Sequence, residues 1–173
     1  AQLWSWEGGM RAPDFARKMA AALATSDTAT DLRMPLRFET HLTDQIEAVA
    51  AFVRDVGIDY VVFNDNLPHA ALDAGRMPAR LTGAALRSGR SPDAHLQIMH
   101  AAHARAHEVP DALRALVAAL PGVRFGSHDD ADARVRHDFA AVGAAIAEFP
   151  LTDAAAQGAV VMGAPNVVRG RSQ

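Results

Sequence analysis

Short apolar runs that end, on their carboxyl side, in polar side chains are the feature that most restricts this chain's fold. In residues 34–42, apolar Leu36 and Phe38 precede Glu39 and His41. Residues 58–63 run into Asn64, Asp65 and Asn66. Val123 and Phe125 alternate with Arg124 before the chain turns polar at Ser127, His128, Asp129 and Asp130. Residues 145–149 carry Glu148, and residues 159–163 lead into a loop with Asn166 and Arg169. Each run reads as a short buried strand.

Amphipathic stretches separate most of these runs. A helix opens at Pro13 and Asp14, with Phe15, Met19, Ala22 and Leu23 on one face. Another starts from a Thr43 cap, carries Ile46, Val49, Ala50 and Val53, and closes at Gly57. Ser91-Pro-Asp signals a third start, and helical pieces follow at 111–119, 131–142 and 151–157. Strand–helix alternation predicts parallel β/α units. A doubly wound sheet places its ligand in one crevice, whereas polar groups at every strand's carboxyl end suit a (β/α)8 TIM barrel.

Composition bounds the chemistry. The 173 residues, half of them apolar, suffice for one core, read as a single domain over residues 1–173. The chain has no cysteine, so thiol catalysis and disulfides are excluded, and any metal must be held by His, Asp or Glu. The net charge of -3 gives no footprint for nucleic acid. No apolar run is long enough to cross a bilayer, and no secretion signal is visible, which predicts a cytoplasmic protein without a membrane partner.

Three stretches are open to two readings. Trp4, Trp6 and Arg11 share a Gly-rich loop over residues 3–11 that suits a core lid or a ligand contact. Residues 67–91 form a long Gly- and Pro-rich excursion with Arg76, Arg80, Arg87 and Arg90. It suits a solvated loop or a phosphorylated substrate. His100, His103 and His107 share a helix face, as a polar surface or a metal site would.

The blocks Glu-Gly-Gly-Met-Arg (7–11), Leu-Arg-Phe-Glu (36–39), Phe-Asn-Asp (63–65), Gly-Ser-His-Asp-Asp (126–130), Ala-Glu-Phe-Pro (147–150) and Met-Gly-Ala-Pro-Asn-Val-Val-Arg-Gly (162–170) resemble the phosphonate-metabolism amidohydrolases, the PhnM family. The resemblance implies a TIM-barrel metal-dependent hydrolase that cleaves ribose 1-methylphosphonate 5-triphosphate to the 5-phosphate and pyrophosphate. It implies a divalent metal, zinc, as one or two ions. Glu39 would be the bridging carboxylate and His128 a ligating imidazole, with Asn66 standing where some relatives carry histidine. Asp65, Asn166 and Arg169 would lie near the substrate. The His-x-His pair expected from the family's first strand and the aspartate after its last strand are absent, so the resemblance implies only the central part of a barrel. A complete barrel needs about 250 residues.

The expected chemistry is metal-assisted hydrolysis of a phosphoanhydride. Asp129 is the candidate catalytic carboxylate, or else orients His128, and Asp130 is the second candidate. Two other readings are a different amidohydrolase, acting on a cyclic amide or an aminated base, and a non-catalytic binding protein on the same barrel. A homo-oligomeric state is left open. Only ten residues separate Phe149 from Val160, which is tight for a parallel crossover and predicts residues lacking near Gln157.

Overall fold

The computed structural model describes residues 2–27, 29–30 and 32–168. Among them, six strands and eight α-helices alternate. Strand β1 (Gln2–Trp4) leads through α1 (Pro13–Ala24) to β2 (Leu36–Glu39), and α2 (Ile46–Val56) follows before β3 (Tyr60–Asn64). Four helices then intervene: α3 (His69–Asp73), α4 (Leu81–Arg87), α5 (Pro92–Ala104) and α6 (Val109–Ala119). Strand β4 (Arg124–His128), α7 (Ala133–Ala141), β5 (Ile146–Glu148), α8 (Asp153–Val161) and β6 (Asn166–Val167) complete the order.

Local chemistry sets the helix boundaries. Ser91, Asp132 and Thr152 cap α5, α7 and α8, each side chain accepting from a backbone N–H three residues on. Gly57 ends α2 with φ 73°, a left-handed turn that a side chain would strain. Thr43 does not cap α2. Its hydroxyl donates to Glu108 Oε2 (2.6 Å), and a 3-10 turn, Thr43–Gln45, precedes the helix.

All pairings are parallel, and the spatial order β1-β2-β3-β4-β5-β6 follows the sequence without reversal. Right-handed crossovers that always advance in one direction put the helices on one face. That face is the core. Leu36, Phe38, Val61, Phe63 and Phe125 pack with Ala16 and Ala20 of α1, Val49 and Val53 of α2, and Leu113 and Leu116 of α6. Side chains alternate along a strand, so Arg37, Glu39, Tyr60, Asn64, His128 and Glu148 share the opposite face.

The structure corrects several expectations. The sheet has six strands rather than five, because β1 begins the stretch expected to be a loop. Residues 159–163 are not a strand: α8 runs unbroken across Gln157 to Val161, and Met162 N–H still donates to the Gly158 carbonyl. The last strand is therefore Asn166–Val167, and the crossover from β5 has ample length with no residues lacking. The excursion at 67–91 contains α3 and α4, and Leu67, Leu72, Leu81 and Met99 build a second apolar cluster with Trp6. Helix α1 buries Ala16 and Ala20, leaving Phe15, Met19 and Leu23 half-buried and Ala22 exposed.

Candidate functional site

The carboxyl ends of β2, β3 and β4 meet in one row, with Glu39 beside Asn64 and Asn64 beside His128. Glu39 is almost fully buried, at 1 % exposure. Its Oε1 accepts the Asn66 backbone N–H (2.7 Å), and its Oε2 accepts from Asn64 Nδ2 (2.9 Å) and Asn66 Nδ2 (3.3 Å). Burial nevertheless pushes its pKa up to about 8, against the effect of those donors.

At the tip of β4, the Arg37 guanidinium sits against His128 Nε2 in a very short contact. Asp129 Oδ2 lies 3.0 Å from His128 Nδ1. Burial, then the Arg37 charge, lowers the His128 pKa. Asp129 stands exposed in a left-handed backbone conformation, with φ 59°. Ser127 and Asp130 face the other way. Ser127 Oγ donates to Asp130 Oδ2 (2.6 Å), and the wholly buried Arg136 of α7 binds both. Those two residues tie α7 to the sheet rather than line the rim.

The metal implied by the resemblance does not fit the set Glu39, His128 and Asn66 as the chain holds them. A guanidinium occupies His128 Nε2, and the Asn66 amide donates to Glu39 and to Glu7 Oε1 (3.1 Å). Asn166 lies within β6 rather than in a loop beyond it, with Nδ2 donating to the Ala156 carbonyl (3.2 Å). Arg169 lies outside the described residues.

A different group can hold a metal ion. One atom each from His41, Asp65 and His69 lie within 4.8 Å of one another, the one such three-residue group among the described residues. His41 follows β2, is 5 % exposed, and has no well-formed hydrogen bond at either ring nitrogen. Its Nε2 lies 3.2 Å from Asp65 Oδ1. Asp65 follows β3, and its Oδ1 also accepts the Leu67 N–H (3.0 Å), which turns the chain into α3. His69 on α3 brings Nε2 to 2.9 Å from Asp65 Oδ2.

Burial alone would raise the Asp65 pKa. The hydrogen bond from His69 and the close approach of the His41 imidazole outweigh it and hold the carboxylate well below its usual range. The bond to Asp65 raises His69, against burial. Behind His69 stands His103 of α5, its Nδ1 2.8 Å from His69 Nδ1 and its Nε2 2.8 Å from Asp73 Oδ1. Of the two readings of His100, His103 and His107, the polar surface describes His100 and His107, which are exposed, and His107 Nδ1 donates to the Ala104 carbonyl.

His41, Asp65 and His69 open onto a cleft of about 630 Å³ walled by α6 and α7, with Leu113, Arg114, Arg134 and Phe139 among its lining. Another cavity, of about 440 Å³, lies among Leu23, Met34, Val56 and Ile58 and holds no imidazole. Sequence reasoning missed His69, although its i,i+4 spacing from Asp65 across Pro68 was a usable signal. Comparison of the chain with protein-family models, with curated proteins and with solved structures returns no match.

Proposed function

We propose that the chain belongs to a metal-dependent hydrolase acting on a phosphoanhydride, with its six strands as an arc of a (β/α)8 barrel. The observation that carries this reading is the common rim. Glu39, Asn64 and His128 stand in register on the helix-free face, and His41 and Asp65 follow at the same strand ends. In parallel β/α architectures, that end is where chemistry is built. The block resemblance supports ribose 1-methylphosphonate 5-triphosphate as the substrate.

His41, Asp65 and His69 would hold the ion, and two imidazoles with one carboxylate favour zinc. A bound divalent ion supplies Lewis acidity and a water of lowered pKa. His103 fixes the His69 ring, while Asn64 and Asn66 fix the Glu39 carboxyl beside the rim. The test is pyrophosphate release from the triphosphate by the zinc-loaded protein. The expected result is turnover that Asp65→Asn abolishes. Turnover that survives Asp65→Asn, or zinc binding without any turnover, would overturn the proposal.

A binding protein on the same sheet is the second reading, favoured by the guanidinium that occupies His128 Nε2. Zinc and substrate binding without pyrophosphate release would select it.

A further inference from the structure

Helix α2 lies against α6, and α7 lies against α8, but α6 and α7 diverge. They meet at the end away from the rim, where Gly143, after α7, sits on Val117 of α6. A Cβ added at Gly143, with φ 102°, would stand 3.0 Å from Val117 Cγ1. Towards the rim the two helices part, and the cleft of about 630 Å³ that ends at His41, Asp65 and His69 lies between them. Asp65 and His69 each keep 34 % of the side chain exposed, so both can meet a ligand there.

The walls of this cleft are apolar. Val109 and Leu113 of α6 and Val135 and Phe139 of α7 line it, and the Phe139 ring is backed by Phe63 at 6.3 Å. The charges at its edge are already matched. Arg114 Nη1 donates to Asp111 Oδ1 in a very short contact, and Arg134 Nη1 donates to Asp138 Oδ2 at 3.2 Å. The two pairs cancel, so the walls suit an uncharged, apolar body.

The inner end has the opposite character. Two neutral imidazoles and one carboxylate offset one charge of a divalent ion and leave one positive charge unmatched. Three protein ligands also leave a zinc ion with an open position. One carboxylate on a ligand would supply both the missing charge and the missing donor atom.

We propose that this cleft binds an apolar monocarboxylic acid, with its carboxylate on the ion at His41, Asp65 and His69 and an aromatic or branched aliphatic body between α6 and α7. A cleft of this volume accommodates such a molecule. The inference goes beyond the phosphoanhydride reading, because it names a second class of ligand for the same ion. It rests on that reading only for the three residues that hold the ion, and it requires no turnover.

The test is calorimetry on the zinc-loaded chain with phenylacetate, acetate and 2-phenylacetamide as probes. Phenylacetate is expected to bind at least about 10-fold more tightly than acetate, from burial of its ring, and at least about 10-fold more tightly than the uncharged amide. Removing the zinc with a chelator should weaken phenylacetate by at least about 10-fold. Ala141→Trp, at an exposed position lining the cleft, should fill it and bring phenylacetate down to the affinity of acetate. Val135→Glu, which sets a carboxylate among the walls, should do the same. Zinc affinity and circular dichroism should be unchanged in both variants. Phenylacetate no tighter than acetate, or binding indifferent to both substitutions, would overturn the proposal and leave the hydrolase reading standing. Binding indifferent to zinc removal would overturn it as well, since the carboxylate would then not be on the ion. A chain that takes up no zinc would remove both readings. Phenylacetate binding as expected, without pyrophosphate release from the triphosphate, would sink the hydrolase reading and leave the cleft standing.

Discussion

Asp65 is the residue on which the candidate metal group turns, because it touches both imidazoles and holds the turn that leads to α3. One zinc ion per chain is expected, and Asp65→Asn, which keeps shape but loses charge, should weaken it by at least about 100-fold. His103→Gln should cost about 10–100-fold, since His103 orients His69 from behind. Competition with a chromophoric chelator measures both, and zinc affinity indifferent to Asp65→Asn would remove the site. Asp65 was legible in the sequence as the polar tip of an apolar run, and so were Glu39 and His128. His69 was not, because its stretch reads as loop by composition and becomes helix only once Leu72 finds the cluster with Trp6 and Met99. The neighbour of His128 was also invisible. Strand alternation puts Arg37 on the same face, but only coordinates show it reaching the imidazole.

His95 gives the pH test at the same scale. Burial first, and then the Arg90 charge, lowers its pKa below the ordinary 6.5. The unfolded chain therefore takes up this proton before the folded one does. Its contribution to stability is steady above pH 6.5 and declines as the pH falls through the interval between the unfolded and folded values. Urea midpoints of the native chain should drop across that interval more steeply than those of His95→Gln. Parallel pH profiles would mean that His95 does not titrate on unfolding.

Two elements carry the next predictions. Helix α7 docks through Arg136, which is wholly buried, as is its partner Asp130, and also donates to the Ala144 and Ile146 carbonyls. Arg136→Met would leave the Asp130 carboxyl buried with no cation beside it and only the Ser127 hydroxyl donating to it, a loss of about 3–5 kcal/mol by denaturant unfolding. A loss under about 1 kcal/mol would show that the charge is relieved, by water or by protonation of Asp130, whose pKa burial already raises. Helix α8 was misread because Val160, Val161 and Met162 form an apolar run of strand-forming residues. The Thr152 cap and the inward face Ala155 and Ala159 decide instead for a helix, with Val161 left 86 % exposed. Val161→Lys should therefore change stability by no more than about 0.5 kcal/mol. A buried strand at that position would not tolerate the charge.

At the scale of the whole molecule, sequential parallel order was legible in the strand–helix alternation and in polar tips confined to one end. Sheet closure was not, because it depends on which strands find partners at β1 and β6. Among the described residues those two strands pair on one side only, whereas β3 and β4 are paired on both. An unpaired edge opens at little cost, while a central strand exchanges its amide hydrogens only through larger unfolding. Amides in β3 and β4, such as those of Val62 and Phe125, should therefore exchange at least about 100-fold more slowly than those of β1 and β6. Hydrogen exchange read by mass spectrometry on overlapping peptides resolves this strand by strand. Protection that is uniform from β1 to β6 would contradict the open order and show the outer edges hydrogen-bonded to each other or to a second chain. Protection that falls off at both edges would show that the sheet's hydrogen bonding ends at β1 and β6, as the strand order has it.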